Sequence, residues 1–303
     1  MTHTLSLPGR TLQIAAGRPL IMGIVNANPD SFSDTVRLSG VDAQCDRALQ
    51  MVADGADIID VGGESGVTYT GITAIEVEIE RVVPLIERLA GAGVIVSVDT
   101  WKPAVAEAAV AAGAAIINDV SGLADVRLAD IAAASGAGLV LMHTRARPKE
   151  INWADYGGDV VGDVERMLGD LIGRAREAGV ADEQLILDPG PDFAKTPQES
   201  VAVLRELPRL AAFGRPILLP VSRKYFVGAI TGREPGERLA GTLAALAHGV
   251  RLGAAIVRMH DVAAVADFLR VARVMDGMDP LPAFDADDDR LKWIPATAES
   301  PAD

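Results

Sequence analysis

One unit recurs through this chain: a short apolar run, a polar residue at its end, then a stretch with helical spacing. The runs are Leu20–Val25, Ile58–Val61, Val94–Val98, Ala115–Ile117, Gly138–Met142, Leu185–Leu187, Ile217–Val221 and Ala255–Val257, eight in all. The intervening helices are predicted at Val41–Ala53, Ala74–Leu89, Pro103–Ala112, Leu128–Ala134, Val160–Ala178, Glu199–Ala212 and Glu237–Leu252, with a last one over Val262–Val274. In the first, Val41, Cys45, Ala48 and Val52 are spaced to share one face. Strands that are apolar throughout are buried on both faces, which implies a parallel sheet with helices laid over it. Eight such units close a barrel. The expected fold is therefore α/β, an eight-stranded parallel (β/α)8 TIM barrel, with a doubly wound open sheet as the runner-up. No GxGxxG follows the first strand, which weighs against the open sheet.

Residues 1–19 are expected to form a short N-terminal hairpin turning at Leu7-Pro8-Gly9-Arg10 and preceding the main fold, residues 20–280 the barrel, and residues 281–303 an acidic, proline-containing tail. Hydrophobic residues make up 49% of the 303 and aromatics only 4%, which suits small-residue helices packed closely on a buried sheet. The formal charge is −14 and no basic run of five appears, so nucleic acid and anionic membranes are not expected partners. An anionic substrate would need a local cationic pocket. The single cysteine, Cys45, excludes an intrachain disulfide framework. With neither an apolar leader nor a run of about 18 apolar residues, the expectation is a cytoplasmic protein.

Barrel enzymes carry their chemistry where strands end. Collecting those ends yields Asn26, Glu64, Asp99, Asn118, His143, Asp188, Lys224, Arg258 and His260. Asp and Asn also cap helices, so each alone has an ordinary reading. Capping does not explain two cations, Lys224 and Arg258, emerging from the last two buried strands, a region where barrels often bind phosphate. Arg258 can fork onto an oxyanion, Lys224 supplies a mobile point charge, and His260 lies two residues beyond Arg258. Asp99, Asn118 and Asp188 supply acceptors and an amide, a set that suits the edge of an amino-pyrimidinone heterocycle. The competing reading is that Asp99 or Asp188 forms a buried ion pair with Lys224 or Arg258. His143 is as well explained by a structural hydrogen bond, His248 by a place within a helix, and Trp101 and Lys102 by walling the loop after Asp99. No His-Glu pair at helical spacing suggests a dedicated zinc site.

Seven segments, IMGIVNANPDSFSD, IIDVGGES, VSVDTWKPAVAEAA, INDVSG, LILDPGPDFAKT, VSRKYFVG and IVRMHDV, resemble the motifs of the dihydropteroate synthase (pterin-binding) family, in that family's order. The resemblance runs from about Leu20 to Val274. It implies a transferase joining 6-hydroxymethyl-7,8-dihydropterin pyrophosphate to p-aminobenzoate, with release of pyrophosphate, aided by magnesium (Mg2+). It further implies that Asp99, Asn118, Asp188 and Lys224 line a pterin pocket. Asn26, Arg258 and His260 would hold pyrophosphate, with Asn26 on the metal. Ser222, Phe193 and Ser65 would lie on the acceptor side, and Asp99, Lys224 and Arg258 would carry the chemistry. A homodimer is the assembly the family suggests.

Departures from the family pattern gather on the acceptor side. After GGES the family continues Thr-Arg-Pro-Gly, whereas this chain reads Gly66-Val67-Thr68-Tyr69-Thr70-Gly71 in a longer loop. Asn28 stands where a Thr commonly precedes Pro29. Pro191-Asp192 replaces an apolar residue and a Gly, although Phe193 and Lys195 remain. Three readings stay open: a synthase with an unusual loop; a paralogue taking another amine or having little synthase activity; and a pterin or folate-binding methyltransferase or non-catalytic protein.

Overall fold

The computed structural model describes residues 2–27, 40–64, 71–150, 153–284 and 291. Asn28 to Ser33, Ser65, Gly66 to Thr70 and most of the acidic tail, with Trp293, lie outside these residues. Strands β1 (His3–Leu7) and β2 (Arg10–Ile14) form the antiparallel hairpin, pairing His3 with Ile14 and Leu7 with Arg10. The main body then alternates β3 (Leu20–Asn26), α1 (Val41–Ala53), β4 (Ile58–Gly62), α2 (Ile75–Gly91), β5 (Ile95–Asp99), α3 (Pro103–Ala111), β6 (Ile116–Asp119), α4 (Arg127–Ser135) and β7 (Gly138–Met142). It continues with α5 (Val160–Glu177), β8 (Leu185–Asp188), α6 (Pro197–Arg205), α7 (Leu207–Leu210), β9 (Leu218–Leu219), α8 (Tyr225–Thr231), α9 (Leu239–Arg251), β10 (Ile256–Met259) and α10 (Val262–Met275).

The eight main-body strands are parallel and ordered β8-β7-β6-β5-β4-β3-β10-β9. The two ends meet where Leu187 bridges Ile217 and the Leu187 N–H donates to Pro216 O at 2.9 Å, so the barrel is nearly closed. That seam is thin because β9 lies between Pro216 and Pro220, which have no N–H to donate. The expected strand Ile217–Val221 therefore contracts to two residues. Proline also breaks the helix expected over Glu199–Ala212. Pro208 has no N–H to offer the Leu204 carbonyl and its ring crowds that oxygen, so the helix breaks at Glu206 into α6 and α7. Helix α6 starts earlier than expected because Thr196 and Glu199 form a reciprocal capping box ahead of Pro197. Helix α8 was not anticipated from the sequence.

Strand side chains alternate between two environments. Ile21, Ile59, Val61, Val96, Val98, Ile117, Leu139, Leu141, Leu187 and Val257 join the core shared with the helices. Met22, Ile58, Ile116, Val140, Ile186, Leu218 and Ile256 fill the barrel interior near the strands' starts. Rather than merely preceding the barrel, the hairpin seals this end: Leu5, Leu7 and Ile14 are buried in the same interior cluster. Leu7 sits so close to Gly138 that a Cβ there would stand 2.9 Å from Leu7 Cδ2. Burying each such side chain stabilises by about 1.5–3 kcal/mol. Among the described residues, no helix is long and apolar enough to cross a membrane.

Candidate active site

Two residues beyond the isoleucine layer, the interior turns polar. Ile58 is followed at this spacing by Asp60, Ile95 by Ser97, Ile116 by Asn118, Ile186 by Asp188 and Ile256 by Arg258. Period-two geometry points each pair to the same side, so the barrel carries a polar storey on an apolar floor. Arg258 lies across it. Its Nε donates to Asp60 Oδ2 at 2.6 Å and its Nη2 to Asp99 Oδ2 at 2.7 Å. Asn118 Nδ2 donates to the same Asp60 oxygen at 3.0 Å. Asp60 is fully buried, and its Oδ1 has no hydrogen-bond partner among the described residues. Burial works against the Arg258 charge, but the carboxylates of Asp60 and Asp99 outweigh it and hold the guanidinium above its ordinary pKa. Asp99 is pushed up to about 7 by burial, against the lowering pull of Arg258.

Across the opening, burial raises Asp188 to about 6 although its Oδ1 accepts the Gly190 N–H at 2.7 Å. Lys224 is drawn below its usual pKa by burial, with Asp192 and Asp188 opposing, and its Nζ lies 4.3 Å from the Phe193 ring centroid. The loop carrying Phe193 is tied from beneath by Lys195. This fully buried ammonium contacts Gly190 O at 2.8 Å, Phe193 O at 3.1 Å and His143 O at 3.2 Å, and burial pulls it to about 7. Gly190 has φ +62°, and a Cβ there would stand 2.1 Å from His143 O, so only glycine fits. Ser222 Oγ and His260 Nδ1 are 2.8 Å apart. Asn26 pairs in register with Gly62, whose missing Cβ leaves a gap bordered by Asn26 Oδ1 and Asp99 Oδ2.

A family model described as pterin binding enzyme matches residues 22–260. A dihydropteroate synthase of Bacillus subtilis (strain 168) is 42% identical over 263 residues, covering 86% of this chain and 89% of that one. The chain belongs to the dihydropteroate synthase family. Its likeness extends equally to a Mycobacterium tuberculosis (strain ATCC 25618 / H37Rv) protein named inactive dihydropteroate synthase 2, 40% identical over 274 residues, with 88% and 86% coverage. In three dimensions, a Xanthomonas albilineans dihydropteroate synthase solved with 4-aminobenzoic acid superposes with TM-score 0.83 at 40% identity, covering 93% of this chain and all of that one. Active and inactive relatives stand at nearly the same distance. Overall similarity therefore establishes the family without deciding activity.

Of the residues the family motifs single out, the fold brings Asp99, Asn118 and Arg258 into one hydrogen-bonded network with Asp60. Asp188, Lys224 and Phe193 form the facing group, and Ser222 touches His260. Glu64 is a loop anchor: its Oε2 meets Lys102 Nζ at 2.7 Å and its Oε1 accepts the Thr73 N–H at 2.8 Å. His143 is buried behind the site, its Nε2 2.8 Å from Asp163 Oδ1, and burial pushes it down to about 4. Sequence reading missed Asp60 because it sits inside an apolar run. The repeated isoleucine-to-polar spacing at positions 58/60, 116/118, 186/188 and 256/258 is the signal that could have found it. Lys195, in an irregular loop, has no comparable periodic signature.

Proposed function

We propose that this chain binds 6-hydroxymethyl-7,8-dihydropterin pyrophosphate and transfers its methylene to an aromatic amine, p-aminobenzoate being the acceptor the family implies. The observation that carries this reading is the polar storey itself. Asp60, Asp99, Asn118 and Asp188 offer hydrogen-bonding groups suited to a flat heterocycle, while Arg258 and Lys224 supply positive charge beside them. In the reaction the methylene–oxygen bond breaks, the electron pair leaves with pyrophosphate, and the amine nitrogen forms the new bond and releases a proton. Arg258 and His260 would stabilise the departing anion, and Asp99 would stabilise positive charge developing on the pterin. Held near 7, Asp99 can exchange a proton with the heterocycle at neutral pH. A covalent enzyme intermediate is not needed.

Among the described residues, no group of three His, Cys, Asp or Glu side chains is arranged to hold a metal. The magnesium ion that the family implies would take most of its ligands from phosphate and water, with Asn26 Oδ1 and Asp99 Oδ2, which border the gap over Gly62, as the protein oxygens. When bound, such an ion would offset charge on the leaving group. The family resemblance also implies a homodimer, which light scattering of the pure protein would check.

A second reading is favoured by the departures around Gly66–Gly71 and Asp192: a paralogue that binds the pterin but uses another amine, or turns over little. Pyrophosphate release from the pterin pyrophosphate with magnesium, measured with and without p-aminobenzoate, separates the two. Acceleration by p-aminobenzoate with formation of dihydropteroate supports the synthase reading. Pterin binding without that acceleration supports the second. A chain that binds no pterin pyrophosphate overturns both.

A further inference from the structure

Apart from the Lys224 ammonium, which the functional reading assigns to the pterin, the loop from Ser222 to Phe226 has few donors left for an incoming anion. The Ser222 hydroxyl lies 2.8 Å from His260 Nδ1 and also accepts the His260 N–H at 3.1 Å. Arg223 forks onto Asp261, with Nη2 at 2.6 Å and Nε at 3.1 Å. The N–H groups of Tyr225 and Phe226 are directed at Asp192, at 2.5 Å and 3.3 Å. Asp192, in turn, is fixed. Its own N–H donates to Ser200 Oγ at 2.9 Å, and that hydroxyl lies 3.2 Å from Asp192 Oδ1. The residue has φ +66°, a left-handed conformation natural to Gly and tolerated by Asp. A carboxylate has thus been placed, and braced, at the start of α8, next to Phe193 in the chain and close enough to Lys224 to act on its charge.

We infer that Asp192 determines the choice of second substrate, favouring an aromatic amine without an anionic group over a carboxylated one such as p-aminobenzoate. The inference rests on the second functional reading above, a paralogue that binds the pterin and uses another amine, with the acceptor by Ser222 and Phe193 as the family resemblance implies. An anion approaching there meets a like charge that cannot swing away without abandoning two backbone N–H groups. It finds those donors engaged. Fixed like charges of this kind are a recognised way to reject a partner. An uncharged amine of the same shape incurs neither penalty and keeps the aromatic contact with Phe193.

The test compares p-aminobenzoate with p-aminobenzamide, matched in shape and different in charge. Both are titrated into the full chain loaded with a dihydropterin, pyrophosphate and magnesium, and kcat/KM is added for any amine that turns over. The wild type is expected to prefer the amide. Asp192→Asn, which keeps the shape and an acceptor oxygen, should move the preference toward the benzoate by roughly tenfold, with pterin pyrophosphate affinity within about twofold of wild type. Asp192→Gly should move it in the same direction. An unchanged ratio in both variants, or an equal loss for both amines, would make Asp192 a simple brace and overturn the inference while pterin binding persists. Absence of pterin pyrophosphate binding by the wild type would overturn the functional reading and this inference together.

Discussion

The two halves of the site are built by different means. Asp60, Asp99, Asn118, Asp188 and Arg258 all stand on strands, so the register of a parallel sheet sets their spacing before any ligand arrives. The other half stands on loops, held by an ion pair and by contacts between side chains and backbone: Lys102 on Glu64 and Thr73, Lys195 on three carbonyls, Asp192 on the start of α8. A strand-borne group moves only if the barrel moves. A loop-borne group can be re-aimed by one substitution, and the departures from the family pattern fall on the loop-borne side. On the functional reading proposed above, the half assigned to the pterin is constrained by architecture, and the half assigned to the acceptor is where chains of one family can diverge.

The harshest way to break the strand-borne half is Arg258→Ala. It leaves Asp60 fully buried without its cationic partner, a loss of about 4 kcal/mol. Urea unfolding should show it as a lower midpoint with unchanged slope, and calorimetry should show pyrophosphate binding abolished. The loop-borne counterpart is Lys102→Met. Lys102 Nζ sits 2.7 Å from Glu64 and 2.5 Å from Glu78, both buried, so its removal should cost about 3 kcal/mol. Its functional signature should differ, with amine binding weakened while affinity for the pterin is retained. Equal losses of pterin affinity in the two variants would erase the distinction between the halves.

How much of this was legible in the sequence follows the same division. Strand number, helix order and the pairing of apolar floor with polar end follow from short-range pattern, because alternation fixes which side chains face inward. Asp99, Asn118, Asp188 and Arg258 could be named as strand ends for that reason. Asp60 was hidden by its apolar neighbours, so the pairing of Arg258 with Asp99 was among the readings the sequence offered, and the second arm of the guanidinium on Asp60 was not. The hairpin's role was out of reach, since nothing local in Leu5 or Leu7 says which end of a barrel they will close. Breaks at Pro208 and Pro220 were written in the sequence but weaker than the apolar runs around them. Contacts such as Asp192 with Tyr225 join loops 33 residues apart and have no periodic trace.

Titration sharpens the comparison at intermediate size. An unfolded aspartate gives up its proton at about 3.9, whereas Asp99 does so at about 7 in the fold. Between those values the folded state holds the extra proton, so the stability Asp99 contributes is complete below the lower value and fades as pH rises through the upper one. Asp99→Asn cannot titrate. Stability of the wild type relative to this variant should therefore fall by about 2 kcal/mol between pH 5.5 and pH 8, measured by paired urea midpoints. A flat difference across that range would mean that Asp99 ionises as it does in the unfolded chain.

The smallest effect should come from the frame behind the acceptor-side loop. Thr196 Oγ1 accepts the Glu199 N–H at 3.2 Å, and Glu199 Oε2 accepts the Thr196 N–H at 2.8 Å, closing the box that starts α6 directly after Lys195. Thr196→Ala opens that box at a cost of about 1 kcal/mol. The barrel strands do not depend on it, so pterin affinity should stay at the wild-type value. What should change is local: faster hydrogen exchange at the N–H groups of Asp192 and Phe193, which donate to Ser200 Oγ and Gly190 O. If exchange instead quickened along β8 and β10, loop and strand would be one cooperative unit, and the acceptor half could not diverge without disturbing the pterin half.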